Sequence, residues 1–294
     1  MTPSAYHNFC IELITSLVNE APENHLHAVD EKAWGSPLIG VARGDDPLFT
    51  EFKQIIGAVH WSPAEAFALA YPDQSVTSKD LRVVSWILPQ TENTLADQRL
   101  ETELPTARWV YSRCYGEQFN EWLRLKVRDE LIRMGLRALA PALLPDWAYR
   151  QTPQAGICSN WSERHAAYAA GLGTFGLSDG FISEAGKAIR IGSVIVAADI
   201  AITPRSATAH TANCLFYARG TCGACIKRCP VEAISQAGHD KIACRKYIRQ
   251  VTAPYAKQLC GQAVTPCGLC QVSIPCERRN PVAAVHNNRA AVDL

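Results

Sequence analysis

Nine of the twelve cysteines fall between Cys214 and Cys276, and only Cys10, Cys114 and Cys158 lie in the first 200 residues. The densest string is Cys222-Gly-Ala-Cys225-Ile-Lys-Arg-Cys229-Pro230. A second set follows as Cys244, Cys267-Gly-Leu-Cys270 and Cys276. Thiolates are soft ligands, and short C-x2-C turns aim backbone N–H groups at what the sulfurs hold, so this spacing points to bound metal. A disulfide scaffold would instead spread its bridges through a small secreted domain.

The x2 and x3 spacings and the proline match part of the C-x2-C-x2-C-x3-C-P pattern of bacterial ferredoxins, in which the last cysteine serves a second cluster. Arg219 occupies the regular first position, and Cys214 takes that place across a seven-residue gap. Two cubanes need eight ligands. The crossed arrangement assigns Cys214, Cys222, Cys225 and Cys276 to one [4Fe–4S] cluster, and Cys229, Cys244, Cys267 and Cys270 to the other. Cys260 is left over, and replaces Cys214 or Cys276 if either irregular spacing misleads. Zinc held by four cysteines is the alternative, which C-x2-C alone does not separate from iron–sulfur. Lys227 and Arg228, beside the first string, are either solvated surface or charges that tune a cluster or dock a donor.

The other string is Ser162-Glu-Arg-His-Ala-Ala-Tyr-Ala-Ala-Gly171-Leu-Gly173-Thr-Phe-Gly176-Leu177. G-x-G-x-x-G signals a dinucleotide only when it follows a strand and opens a helix, and here it follows a helix. Its glycines end that helix and allow close approach to the backbone. Cys158 is a soft ligand or acid in waiting, against the plainer role of a small buried hydrophobe. His165 and Tyr168 share a helix face and either could donate a proton, against plain core packing.

These strings resemble the epoxyqueuosine reductases, to which the reductive dehalogenases are related. The likeness rests on Ala170-Gly-Leu-Gly-Thr-Phe-Gly176, Ile191-Gly-Ser-Val-Ile-Val196, Arg108-Trp-Val-Tyr-Ser-Arg-Cys-Tyr-Gly116 and the cysteine sets in the same order, over roughly residues 80–276. The resemblance implies a nitroreductase-like, cobalamin-binding α/β domain over residues 1–205, then a ferredoxin-like double [4Fe–4S] domain over 206–294. Gly171, Gly173, Gly176 and Gly192 would contact the corrinoid. Electrons from an external ferredoxin, flavodoxin or reductase would pass through the clusters to cobalamin. One departure stands out. With the family's D-S-A-P-V-L-E segment aligned on Glu163, Ile157 takes the place of the proposed acid, and Cys158 is beside it. That implies a substrate other than epoxyqueuosine, a small molecule or a corrinoid protein, or a pure electron-transfer role. A flavin on the same scaffold is a further alternative, and tRNA stays open as a partner.

The elements that must position these residues are readable from periodicity. Residues 1–20 read as an amphipathic helix and Leu81–Leu88 as a buried strand. A helix runs from near Gly116 to Met134, with Gly135 as its stop. Asn160 and Glu163 suggest a capping box for a second helix that ends at Gly171. A second buried strand follows Gly192. Residues 201–213 read as a connector, and the stretch after Pro281 as a loose tail. The 294 residues are 48% hydrophobic and 19% charged with net charge +1, which excludes a disordered chain and any global basic field. No apolar run approaches the roughly 18 residues a membrane span needs, and the N-terminus lacks a basic leader, so a cytoplasmic protein is expected.

Overall fold

The computed structural model describes residues 1–72, 76–207 and 209–283. In chain order the helices are α1 (Pro3–Glu20), α2 (Leu48–Ile56), α3 (Pro63–Ala70), α4 (Glu92–Leu100), α5 (Ala107–Arg133), α6 (Glu163–Ala169), α7 (Leu215–Arg219), α8 (Ala224–Lys227), α9 (Lys241–Tyr247) and α10 (Ala253–Cys260). The strands are β1 (Leu38–Arg43), β2 (Leu81–Pro89), β3 (Arg137–Leu139), β4 (Tyr149–Thr152), β5 (Gly156–Ser159), β6 (Gly173–Phe175), β7 (Phe181–Ser183), β8 (Ile189–Ala197), β9 (Ile234–Ser235) and β10 (Gly238–His239).

The central sheet has the order β1-β2-β8-β3. The alternation of helices and strands suggests α/β layering, and helices do cover both faces. Yet every pairing in this sheet is antiparallel. One face of β2 carries Val84, Trp86 and Leu88 into a core with α1 and α5. The other carries Leu81, Val83 and Ile87 into a core with α2, α3 and α6. A strand buried on both faces reads as a continuous apolar run, which is why LRVVSWIL stands out in the sequence.

Several local expectations shift. Helix α5 starts nine residues before Gly116, at a cap where Thr106 Oγ accepts from Trp109 N at 3.3 Å. Gly116 is mid-helix because Trp34 lies across it: an added Cβ would meet the indole at 2.8 Å. The capping box at Asn160 does not form. Ser162 is the cap of α6, the Asn160 side chain instead binds Ala148 N and Asp146 O, and Glu163 turns inward to Arg124 and Ser193. Strand β8 contains Gly192 rather than following it, since Trp86 crosses that point and a Cβ there would lie 2.5 Å from its indole.

The connector is not loose. Thr203 pairs with Val41 through its backbone N–H (2.9 Å) and its hydroxyl (3.0 Å), and Arg205 binds Asp46. Beyond it, hydrogen bonds tie the cysteine-rich segment to the sheet half. Lys187 N donates to Cys276 O at 2.8 Å, Gln98 Nε2 to Cys267 O at 3.0 Å, and Asn213 Nδ2 to Ile182 O at 2.8 Å. Apolar packing there is thin, and the cysteines themselves take part: Cys214 and Cys225 pack with Leu177, Ile182 and Ile234. The tail beyond residue 283 lies outside the described residues. No described helix is long and apolar enough to cross a membrane.

Candidate functional site

The eight cysteines of the two sequence sets line two cavities, four to each. Cys214, Cys222, Cys225 and Cys276 line one small cavity, closed by Leu177, Ile182 and Ile274. Cys229, Cys244, Cys267 and Cys270 line another, of about 250 Å³. Burial pushes the Cys276 and Cys267 thiols up to about 12 and Cys244 to about 11. In such surroundings a thiolate needs a cation beside it. Among the described residues, no group of three or more His, Cys, Asp or Glu is gathered to hold a metal ion.

Lys187 lies between the quartets and lines both cavities. Its ammonium is buried, donating to Ser178 Oγ and, at 3.2 Å, to Cys270 O. Gly180 makes the room: a Cβ there would come 2.2 Å from Lys187 Cε.

The second quartet opens onto a cleft between the sheet half and the cysteine-rich segment. One lobe, of about 690 Å³, is lined by Cys114, Tyr149, Ile157, Cys158, Asp179, His239 and Cys244 among others. A neighbouring lobe of about 560 Å³ reaches Trp147, Trp161, Glu163 and Arg190. Arg113 and Arg164 border both lobes and the quartet cavity.

Charge in this wall is tightly coupled. Glu117 accepts from Arg113 and Arg124 at 3.2 Å each and from Arg190. Burial alone would raise its pKa, but the three arginines outweigh that and hold the carboxyl at about 2. Arg190 beside it, together with burial, pulls Arg113 down to about 10. Glu163 binds Arg124 at 3.1 Å, yet burial wins there and its pKa is raised. Across the first lobe, His239 Nδ1 lies 3.2 Å from Asp179 Oδ2, and Lys241 Nζ is 3.8 Å from the same oxygen. Burial opposes ionisation of Asp179, but the hydrogen bond from His239 and the charge of Lys241 prevail and lower its pKa.

The sequence candidates divide. Cys158 lines the first lobe, with Thr152 Oγ 3.9 Å from its sulfur. His165 and Tyr168 line no part of the cleft. His165 packs edge-on against Phe52 (4.7 Å) and near Phe175 (4.8 Å), and Ser162 Oγ is 2.8 Å from its Nδ1. Burial, then His60 and Arg164, keep its pKa well below the usual histidine value. Tyr168 sits in the same aromatic group.

The glycines also have structural work away from the lobes. At Gly171 (φ +75°) a Cβ would crowd Pro204 O at 3.0 Å, and at Gly173 (φ +156°) Ile182 O at 2.3 Å. Gly192 yields to Trp86, and Gly176 borders the first quartet's cavity. Sequence reasoning missed Asp179, His239, Arg113, Arg164 and Glu117. The one local signal was Ser178-Asp179-Gly180, a turn in which Asp179 holds φ +56°.

No family model matches the chain, and no curated protein matches it. Solved structures do. A catabolic reductive dehalogenase in complex with 3-bromo-4-hydroxybenzoic acid overlays with a TM-score of 0.51 at 12% identity, over 98% of this chain and 39% of that one. A reductive dehalogenase whose structure suggests a mechanism for B12-dependent dehalogenation gives 0.50 at 13% identity, over 87% and 32%. An epoxyqueuosine reductase gives 0.45 at 12% identity, over 93% and 66%. The chain thus spans about a third of the dehalogenase chains and just under two thirds of that reductase. What the chain shares with the reductive dehalogenases at this level of identity is their fold.

Proposed function

We propose that the chain is an iron–sulfur oxidoreductase that passes electrons through two [4Fe–4S] clusters to a corrinoid held in the cleft, for reduction of a substrate. The observation that carries this reading is the division of eight cysteines into two cavity-lining quartets, the second of which shares Cys244 with the large cleft. Cys214, Cys222, Cys225 and Cys276 would hold one cluster, and Cys229, Cys244, Cys267 and Cys270 the other. The donor set fits: four soft thiolates per cavity, with the Lys187 cation between them to offset negative charge.

A corrinoid, when bound, supplies a cobalt centre capable of reductive chemistry at low potential. The cleft has volume for a large organic group, and Tyr149, Ile157 and Cys158 offer the surface it would meet. A dehalogenase of the same fold is associated with B12-dependent chemistry, which supports the choice of cofactor. His239, oriented by Asp179, is the group in this lobe suited to carrying a proton, in place of the acid missing at Ile157. Arg113 and Arg164 offer charge to anionic parts of whatever enters.

A second reading has its own support. The lobe wall is dense in charge, and Gly171, Gly173 and Gly192 do not cradle it. That favours a protein whose clusters reduce a partner's corrinoid or another redox protein. The deciding experiment titrates cob(II)alamin into anaerobically reconstituted protein while recording absorption and paramagnetic resonance. Saturation near one equivalent with a base-off signal supports the first reading. Intact clusters without cobalamin binding remove it in favour of the second.

A further inference from the structure

One face of a single helical run lines the larger lobe. Helix α9 passes without a break through a π-helical turn (Ile248–Thr252) into α10. Such turns recur at functional sites. Lys241, Cys244, Arg245, Ile248 and Arg249 all border the lobe, at the i, i+3, i+4 spacing of one helix face. Three of these are cations, each four residues from the next, and like charges at that spacing repel. The C-terminus of the run, where cations are favoured, lies further on at Cys260. Lys241 has its counter-charge in Asp179 at 3.8 Å. Among the described residues, the Arg245 and Arg249 side chains have neither an ion pair nor a hydrogen bond. Arg164, which also lines this lobe, donates to the backbone carbonyl of Asp179 and has no carboxylate partner. The Glu117 carboxylate of the same lobe is already shared by Arg113, Arg124 and Arg190.

We propose that the larger lobe takes a small organic phosphate monoester, whose phosphoryl group is held by Arg245 and Arg249 with Arg164 lining the same lobe. Three guanidiniums without a carboxylate exceed the single charge of a carboxylate ligand. They match a phosphate monoester, which carries close to two negative charges and three acceptor oxygens. Planar guanidinium forks suit those oxygens geometrically. The phosphoryl group would relieve the repulsion along the helix face, and the organic part would meet Tyr149, Ile157 and Cys158. The inference rests on the oxidoreductase reading only in calling this ligand the substrate.

The test is calorimetric titration of anaerobically reconstituted holoprotein with phenyl phosphate, benzoate and phenol. It is repeated with cobalamin and with cobinamide, which lacks the nucleotide phosphate. Phenyl phosphate should bind saturably near one equivalent and weaken with added salt, with benzoate about tenfold weaker and phenol silent. Arg245→Ala and Arg249→Ala should each weaken phenyl phosphate about tenfold, and Arg245→Lys should recover little of the loss, since an ammonium cannot make the fork. Iron content read in parallel identifies a variant that has failed to fold, and the comparison of the three ligands in the parent decides the proposal without it. Absence of phenyl phosphate binding, equal affinity for benzoate, or unchanged affinity in both alanine variants would overturn the proposal. So would competition from cobalamin but not from cobinamide, which would give the arginines to the cofactor's tail. Phenyl phosphate bound by protein that takes up no cobalamin would leave this site standing and remove the corrinoid reading.

Discussion

The Lys187 ammonium donates to the carbonyl oxygen of Cys270 at 3.2 Å, while the Lys187 backbone N–H donates to the carbonyl of Cys276 at 2.8 Å. One residue therefore touches both quartets, and its charge is buried between them. A fixed cation favours the more negative, reduced state of a nearby cluster.

Replacing Lys187 with Met should lower the cluster midpoint potentials, by the order of ~59 mV, one tenfold step for a one-electron couple. The iron content should hold. Redox titration followed by paramagnetic resonance reads this directly, and unchanged potentials would mean that the cation does not act on the clusters.

Glu117 neutralises three arginines, so Glu117→Gln leaves those cations without their shared partner. The expected cost at neutral pH is about 3–5 kcal/mol. The folded carboxyl titrates near 2 and the unfolded one near 4.5. Its contribution is present above pH 4.5 and is lost as pH falls from there toward 2. Urea unfolding of the two proteins should show a wide gap at pH 7 that narrows below pH 4.5. A gap that is constant with pH would contradict the charge account.

Gly192 separates a packing role from a cofactor role. Gly192→Ala would push a methyl into the Trp86 indole, whose Nε1 donates to Asn120 at 3.0 Å. The loss should be about 1–3 kcal/mol, with cobalamin affinity of the folded fraction unchanged. Thermal unfolding and binding titration together check it. Weakened binding at full stability would restore the glycine to the cofactor surface.

His165→Phe, which loses the bond to Ser162, should cost about 1 kcal/mol, Tyr168→Phe should cost little, and both should leave cofactor binding intact, because neither side chain lines the cleft. Cys158→Ala should do the reverse: little change in stability, and an altered spectrum or affinity for bound cobalamin. Equal spectra for all three variants would place the corrinoid away from the lobe that Cys158 lines.

The contrast between these groups shows what the sequence could carry. Cysteine ligation has a local grammar, since C-x2-C turns fix sulfurs over a few residues. The placing of Cys276 beside Cys222 and Cys225 on one cavity, made over a long separation, coincides with a gap in that grammar. Strand β2 is legible because burial on both faces leaves no polar alternation. The antiparallel direction of the sheet is not, since β2 finds β8 across about a hundred residues. The glycines invite a cofactor reading, but what decides their role is Trp86, Ile182 and Pro204, none of them a sequence neighbour. Arg113, Asp179 and His239 come from α5, a turn and β10, and nothing in their local sequence says that they will share a wall.

In the proposed reading two separate quartets each hold a four-iron cluster. Its most direct test is iron and labile-sulfide analysis of anaerobically reconstituted protein beside Cys225→Ala and Cys267→Ala. The parent should hold about eight irons and eight sulfides per chain. Each variant should keep close to half of that, with one cluster signal lost and the other retained. Stoichiometric zinc without sulfide, or one cluster that both variants abolish together, would contradict it.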